Sequence, residues 1–233
     1  VLVVLLSKLV GLALFLALGG LVYWVASSPE FSASRVSIAG NRLMTAGELE
    51  AVASVSGVNL FWLRPAELGQ RLRLLPPVES ANVSLELPDH VLIEVKEREP
   101  VAIWLAGDTP FLVDRDGLLL AARPAARPLT MIRDVSNQAV APGSRVNVDA
   151  VRNISVLENL LAQTFGPQPR QYEYAHESGI NVIQAIGPRL VIGATDELEW
   201  KIGAIQAIVR HLEANRVSAQ LIDVRFADRP YFR

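Results

Sequence analysis

From Leu9 to Ala26 the chain carries no charged residue, and between Val1 and Ala26 the one charge is Lys8. Backbone N–H and C=O groups cannot stay unpaired in hydrocarbon, so a run of this kind closes into a helix. At about 1.5 Å per residue such a helix reaches across a bilayer core of roughly 30 Å. The sequence therefore predicts a transmembrane helix over 1–26 and a body of about two hundred residues on one side of a membrane.

Flanking charge sets the orientation. Lys8 lies toward one end of the span, while Ser27-Ser28-Pro29-Glu30 follows it and the first basic residue beyond is Arg35. Basic residues stay on the cytoplasmic side, which places the N-terminus in the cytoplasm and the body outside. The chain begins at Val1 rather than Met, which implies a cytoplasmic segment upstream. A cleavable signal peptide, with Ala26 and Ser28 before the cut, is the alternative. Its apolar region would be long against the ~7–15 residues usual for such segments. Both readings put the body on the outer face.

Charge and composition exclude several classes. Lys and Arg total 22 against 24 Asp and Glu, so no electrostatic footprint for nucleic acid exists. There are no cysteines, which removes disulfides, thiolate nucleophiles and Cys-based zinc sites.

The body's first part has a legible rhythm. Arg35 to Ala39 alternates as a strand, and Gly40-Asn41 ends it. Thr45 with Glu48 has the spacing of a capping box, predicting a helix that runs on through Val55 to Gly57. Pro65 to Leu75 predicts a second helix, stopped by Pro76-Pro77. Val78 to Leu87 alternates apart from a slip near Ser80, Pro88-Asp89-His90 turns, and Val91, Ile93 and Val95 alternate again. The order is strand, helix, helix, strand, strand: a small sheet with two helices on one face.

After Glu99 the strand content rises. Val101–Leu105 and Phe111–Val113 read as strands, and Arg115-Asp116-Gly117 turns into Leu118–Ala121 as a hairpin. A calcium loop at Asp114 and Asp116 fails on spacing, because Leu112 falls where the first ligand belongs. One helix is predicted over 148–165, a hairpin over 171–186 around Glu177-Ser178-Gly179, a short strand over 189–192, and a helix over 197–215. Glu197 and Lys201 stand one turn apart on that helix, spaced for an ion pair. Leu221 to Phe226 reads as a closing strand.

Catalytic patterns are missing from this sequence. His90, His176 and His211 have no second ligand at metal-binding spacing, and there is no G-x-S-x-G, P-loop or G-x-G-x-x-G. Binding is the expected business of the body, with no catalytic residue, cofactor or metal. A strand at a chain end often lies at a sheet edge, where its unpaired groups capture a partner strand. Pairing inside the sheet is the alternative for Leu221–Phe226.

Several stretches together resemble the FtsQ/DivIB family of bacterial cell-division proteins. The most specific is Leu75-Pro76-Pro77-Val78-Glu79-Ser80-Ala81-Asn82-Val83, continuing through Leu87-Pro88 and Leu92-Ile93-Glu94-Val95 into Glu97-Arg98-Glu99-Pro100-Val101-Ala102. Ile38 with Gly40-Asn41, Val113-Asp114-Arg115-Asp116-Gly117, and Ile222-Asp223-Val224-Arg225-Phe226 follow the family pattern in the same order, behind one apolar helix. Phe226 stands where Tyr is common in the family.

The resemblance implies an α+β fold: a transmembrane helix (1–26), a POTRA domain of β-α-α-β-β order (31–98), and a mixed or antiparallel β domain with flanking helices (99–233). It implies a non-enzymatic, membrane-anchored scaffold of the divisome at the septum, linking bitopic division proteins and helping to regulate septal peptidoglycan synthesis. The implied partners are coiled-coil proteins of the FtsB/DivIC and FtsL types, with an FtsB-type strand added at the β domain's edge. Arg225 and Phe226 on the closing strand carry over as the partner-binding residues, a charge and an aromatic anchor. Two other classes remain as alternatives: a POTRA-bearing translocation or outer-membrane assembly component, and an extracytoplasmic enzyme with an unmarked carboxylate pair. The first needs alternating barrel segments of ~10 residues, which do not appear after Glu99.

Overall fold

A computed structural model describes residues 2–124, 128–136, 138–226 and 228–233. The apolar run forms helix α1 (Leu2–Ser27), and within it Lys8–Ser27 is long and apolar enough to cross a membrane. Contacts divide the chain into two compact units, Val1–Glu97 and Arg98–Arg233.

In the first unit, beyond α1, strand β1 (Arg35–Ala39) leads to helix α2 (Ala46–Ala53) and helix α3 (Pro65–Arg73), then strands β2 (Val78–Glu86) and β3 (His90–Glu97). The sheet order is β1-β3-β2, with β1 parallel and β2 antiparallel to the central strand. Thr45 and Glu48 form the capping box their spacing predicts. The alternation slip near Ser80 is a register shift between Val78 and Ser80. Leu49 and Ala53 of α2 and Leu68 and Leu72 of α3 pack with Val83, Val91, Ile93 and Val95 of the sheet. Helix α2 is shorter than its sequence suggests. Ser54 turns left-handed (φ 51°) and its N–H donates to the Glu50 carbonyl at 2.8 Å, so Val55 is buried from a loop rather than a helix.

The second unit begins with β4 (Pro100–Ala106), β5 (Thr109–Asp114), β6 (Leu119–Leu120) and β7 (Thr130–Asp134). Helices α4 (Val148–Arg152) and α5 (Ile154–Phe165) follow, then β8 (Arg170–Ala175), β9 (Gly179–Gln184), β10 (Arg189–Gly193), α6 (Leu198–Asn215), β11 (Leu221–Asp223) and β12 (Tyr231–Phe232). Among the described residues these strands form one sheet in the order β12-β11-β10-β9-β8-β7-β4-β5-β6. One row runs across it through Ile222, Leu190, Val182, Tyr172, Ile132, Trp104 and Phe111. These side chains meet Ile154, Leu157 and Leu161 of α5 and Leu198, Ile202 and Ile205 of α6 in a single core. Fully burying a side chain of this size contributes roughly 1.5–3 kcal/mol, so this row anchors the unit.

Three sequence expectations change here. The helix over 148–165 breaks at Asn153, whose backbone N–H turns back to the Val151 carbonyl while its side-chain amide donates to the Thr195 carbonyl at 2.8 Å. Strand β7 was not expected, because Thr130–Asp134 lacks clear alternation. The Glu197–Lys201 pair does not form. Glu197 turns left-handed ahead of α6, and the buried Lys201 ammonium donates to the Ala194 carbonyl (2.7 Å) and Asp196 (2.9 Å). That hydrogen bond from Lys201 holds the Asp196 carboxyl below its ordinary pKa.

Candidate partner-binding edge

Leu221 to Phe226 is not one strand. Strand β11 pairs parallel with β10 on one side and antiparallel with β12 on the other, so it lies inside the sheet. The Val224 N–H still donates to the Val191 carbonyl (2.9 Å), and then the backbone bends. The cause is local. Oδ1 of Asp223 accepts the Arg225 N–H at 3.0 Å, a side chain-to-backbone bond that turns the chain out of the extended conformation. Arg225 and Phe226 therefore sit in the bend after β11: the strand read over Leu221–Phe226 ends before them, and its paired part lies inside the sheet, the alternative to an edge.

The two residues are nonetheless together. Arg225 grips the buried Asp223 carboxylate through Nε (3.0 Å) and an Nη at 2.7 Å, and its guanidinium lies 5.6 Å from the centre of the 60% exposed Phe226 ring. Burial works against the Asp223 carboxylate, but hydrogen bonds from the Arg225 side chain and backbone, aided by Tyr231, outweigh it and hold the pKa below the ordinary value. Gly193 makes room for this. Its φ is +78°, and a Cβ there would stand 2.9 Å from Cγ of Arg225. Arg225 and Phe226 line one wall of a cleft of about 330 Å³ with Tyr174, His176, Glu177 and Asp149.

The edge itself is β12, which sequence reasoning missed because two residues after a proline carry no periodicity. Leu221 and Arg233 exchange both backbone bonds, each at 3.1 Å. In an antiparallel ladder such pairs alternate with pairs whose N–H and C=O groups point the other way. Phe232 stands in that alternate position opposite Ile222, so its N–H and C=O point away from β11, to the open side. Its side chain extends the core row by one place and lies 6.0 Å, ring centre to ring centre, from His211 of α6. Phe232 is 39% exposed, and Tyr231 on the other face is half exposed. The only signal in the sequence was the aromatic pair Tyr231-Phe232, a favoured composition for strands.

Among the described residues, no group of three or more His, Asp or Glu side chains is arranged to hold a metal. His90 bonds Glu86 and Ser37, while His176 and His211 are exposed.

A small three-stranded sheet with two helices, followed by a larger mixed sheet with β12 at one end of its strand order among the described residues, is the architecture of a POTRA domain with a large β domain after it. Residues 31–98 match the family described as POTRA domain, FtsQ-type. The chain is similar to the cell division protein FtsQ of Chloroflexus aurantiacus, 29% identical over 206 residues, covering 88% of this chain and 74% of that one. It is similar to the protein of the same name from Chloroflexus aggregans at 26% (84% and 73% covered). With that from Mycobacteroides abscessus the identity is 24% (81% and 59% covered). Residues 31–98 thus match an FtsQ-type POTRA domain, and over most of its length the chain is similar to proteins named cell division protein FtsQ.

Proposed function

We propose that this protein is a non-enzymatic scaffold of the divisome, built as a transmembrane helix (1–26), a POTRA domain (31–98) and a β domain (99–233). In this reading α1 spans the inner or plasma membrane with its N-terminus in the cytoplasm, and the body works outside at the septum. Confinement to the membrane plane raises the local concentration of partners held in the same bilayer. The scaffold links bitopic coiled-coil proteins of the FtsB/DivIC and FtsL types, and through them helps to assemble and regulate septal peptidoglycan synthesis.

The observation that carries the reading is the outward ladder at Phe232, beside the Arg225–Phe226 bend. A partner segment adding as a strand would pair its backbone with Phe232 and place an apolar side chain beside the Phe232 ring, continuing the core row. Arg225 and Phe226 would then line the cleft beyond β11, outside the ladder. The test is a pull-down from solubilised membranes of the source organism with the full chain as bait. Recovery of a small bitopic coiled-coil protein by the native chain, and its loss with Phe232→Pro, supports the reading. Equal recovery by both chains removes strand addition at this edge.

A further inference from the structure

The first unit holds a set of contacts that the scaffold reading does not use. Asn59 opens a single turn of 3-10 helix, Leu60–Trp62, where its Oδ1 accepts the Phe61 N–H at 3.0 Å. The amide of the same side chain donates to the carbonyls of Ala26 (3.1 Å) and Val25 (3.3 Å), at the C-terminal end of α1. The Trp62 indole N–H donates to the Ala26 carbonyl at 3.2 Å. The last carbonyls of a helix have no partner within it, so Asn59 and Trp62 cap α1 from another part of the chain. The loop is fastened from behind as well: Ala33 N–H donates to the Val58 carbonyl (2.9 Å), and Gly57 N–H to the Ala33 carbonyl (2.8 Å).

This clamp holds large apolar groups out in the open. Trp62 is 68% exposed and Phe61 51%, with Phe61 edge-on to Phe31 at 5.3 Å between ring centres. The Trp62 bond to Ala26 sets them at the level where the apolar stretch Lys8–Ser27 ends, and α1 itself carries Tyr23 and Trp24 near that end. Tryptophan and tyrosine are the residues enriched at the boundary between acyl chains and headgroups. A solvated aromatic pair costs free energy, whereas the same pair at that boundary keeps its apolar body in lipid and its polar tip in the wet layer.

We propose that the Phe61–Trp62 turn is a second membrane contact, seated in the headgroup–acyl boundary of the bilayer that α1 crosses. The inference rests on the transmembrane reading of α1. The occupant is lipid, because the patch is continuous with the end of the span through the Asn59 and Trp62 hydrogen bonds. The contact fixes the height and tilt of the first unit against the membrane, so the domain is held by two points rather than hung from a flexible tether.

The chain's lack of cysteine allows single labels to be placed cleanly. The full chain, reconstituted in lipid nanodiscs, would carry an environment-sensitive fluorophore at Leu14→Cys, Phe61→Cys or Leu74→Cys in turn, with nitroxide-bearing lipids as quenchers. Leu14 lies within α1, and Leu74 is an 82% exposed position on the first unit. The proposal expects strong quenching at Leu14, quenching at Phe61 several-fold above that at Leu74, and little at Leu74. Quenching at Phe61 equal to that at Leu74, with Leu14 still immersed, overturns the proposal and leaves the span intact. An unquenched label at Leu14 overturns the span, and the proposal with it. Trp62→Phe in the otherwise native chain guards against disturbance by the label. Brominated lipids should quench a smaller share of tryptophan emission in this variant than in the native chain, and an unchanged share counts against the proposal.

Discussion

The two ends of the large sheet are finished in opposite ways. At one end, β6 is strapped down: Leu119 N–H donates to the Ser144 carbonyl (2.9 Å), Gly143 N–H to the Leu119 carbonyl (2.7 Å), and Val146 N–H to the Gly117 carbonyl (2.8 Å). Gly117 permits that close approach, since a Cβ there would meet the Val146 carbonyl oxygen at 2.6 Å. Leu119 and Leu120 are buried beneath the strap. At the other end, β12 turns Phe232's backbone groups outward and leaves both aromatic side chains partly exposed. Unguarded edges invite association, and natural sheets usually cover them. Among the described residues one edge is covered and the other open, the asymmetry that the proposed strand addition requires.

That contrast can be broken most forcefully at the sealed end. Leu119→Lys buries an unpaired charge, and we expect a loss of about 4 kcal/mol in chemical denaturation of the solubilised chain. The equivalent change at the open end, Phe232→Lys, should cost under about 1 kcal/mol, because the side chain already meets water. Similar losses at the two positions would erase the distinction.

Next in size is the bend beside the open edge. Arg225→Ala strands the Asp223 carboxylate in a buried setting, which should cost roughly 2–3 kcal/mol at neutral pH. Asp223 is held below its ordinary pKa, so its stabilisation is present above the unfolded value of about 4 and is lost as pH falls through the lower folded-state value. The gap between native chain and variant should therefore narrow on acidification below about pH 4, read from unfolding midpoints. A gap that stays constant or widens there would contradict the assignment.

Two smaller effects separate backbone from side chain at the open edge. Phe232→Pro removes the outward N–H while leaving the inward pairs of Arg233 intact, and should weaken partner capture about tenfold, worth ~1.4 kcal/mol, with stability little changed. Phe226→Lys should leave the fold intact and reduce capture only a few-fold, because its ring lines the cleft beyond β11 and does not belong to the ladder. Titration of the full chain against the captured partner measures both. A larger effect at Phe226 than at Phe232 would move the site from the edge to the bend.

Much of the architecture was legible because periodic patterns are local. The capping box at Thr45, the slip near Ser80 and the Asp116-Gly117 hairpin each follow from residues a few positions apart. What was not legible depended on distant partners. Asn153 breaks a helix where its side chain reaches the Thr195 carbonyl, and Lys201 forsakes Glu197 for Asp196 because it is buried against the loop ahead of α6. The closing segment was obscure for the same reason. Leu221–Phe226 alternates like a strand, yet whether it is an edge depends on Tyr231-Phe232 folding back over it, and where it ends depends on Asp223 capturing the Arg225 amide.

The most direct test is amide-resolved hydrogen exchange on the full chain, alone and with the bitopic partner proposed above. Strand addition predicts that the Phe232 amide, open in the free chain, becomes protected in the complex, while the Leu119 amide is protected in both states. A complex in which the Phe232 amide exchanges as freely as before would contradict the account.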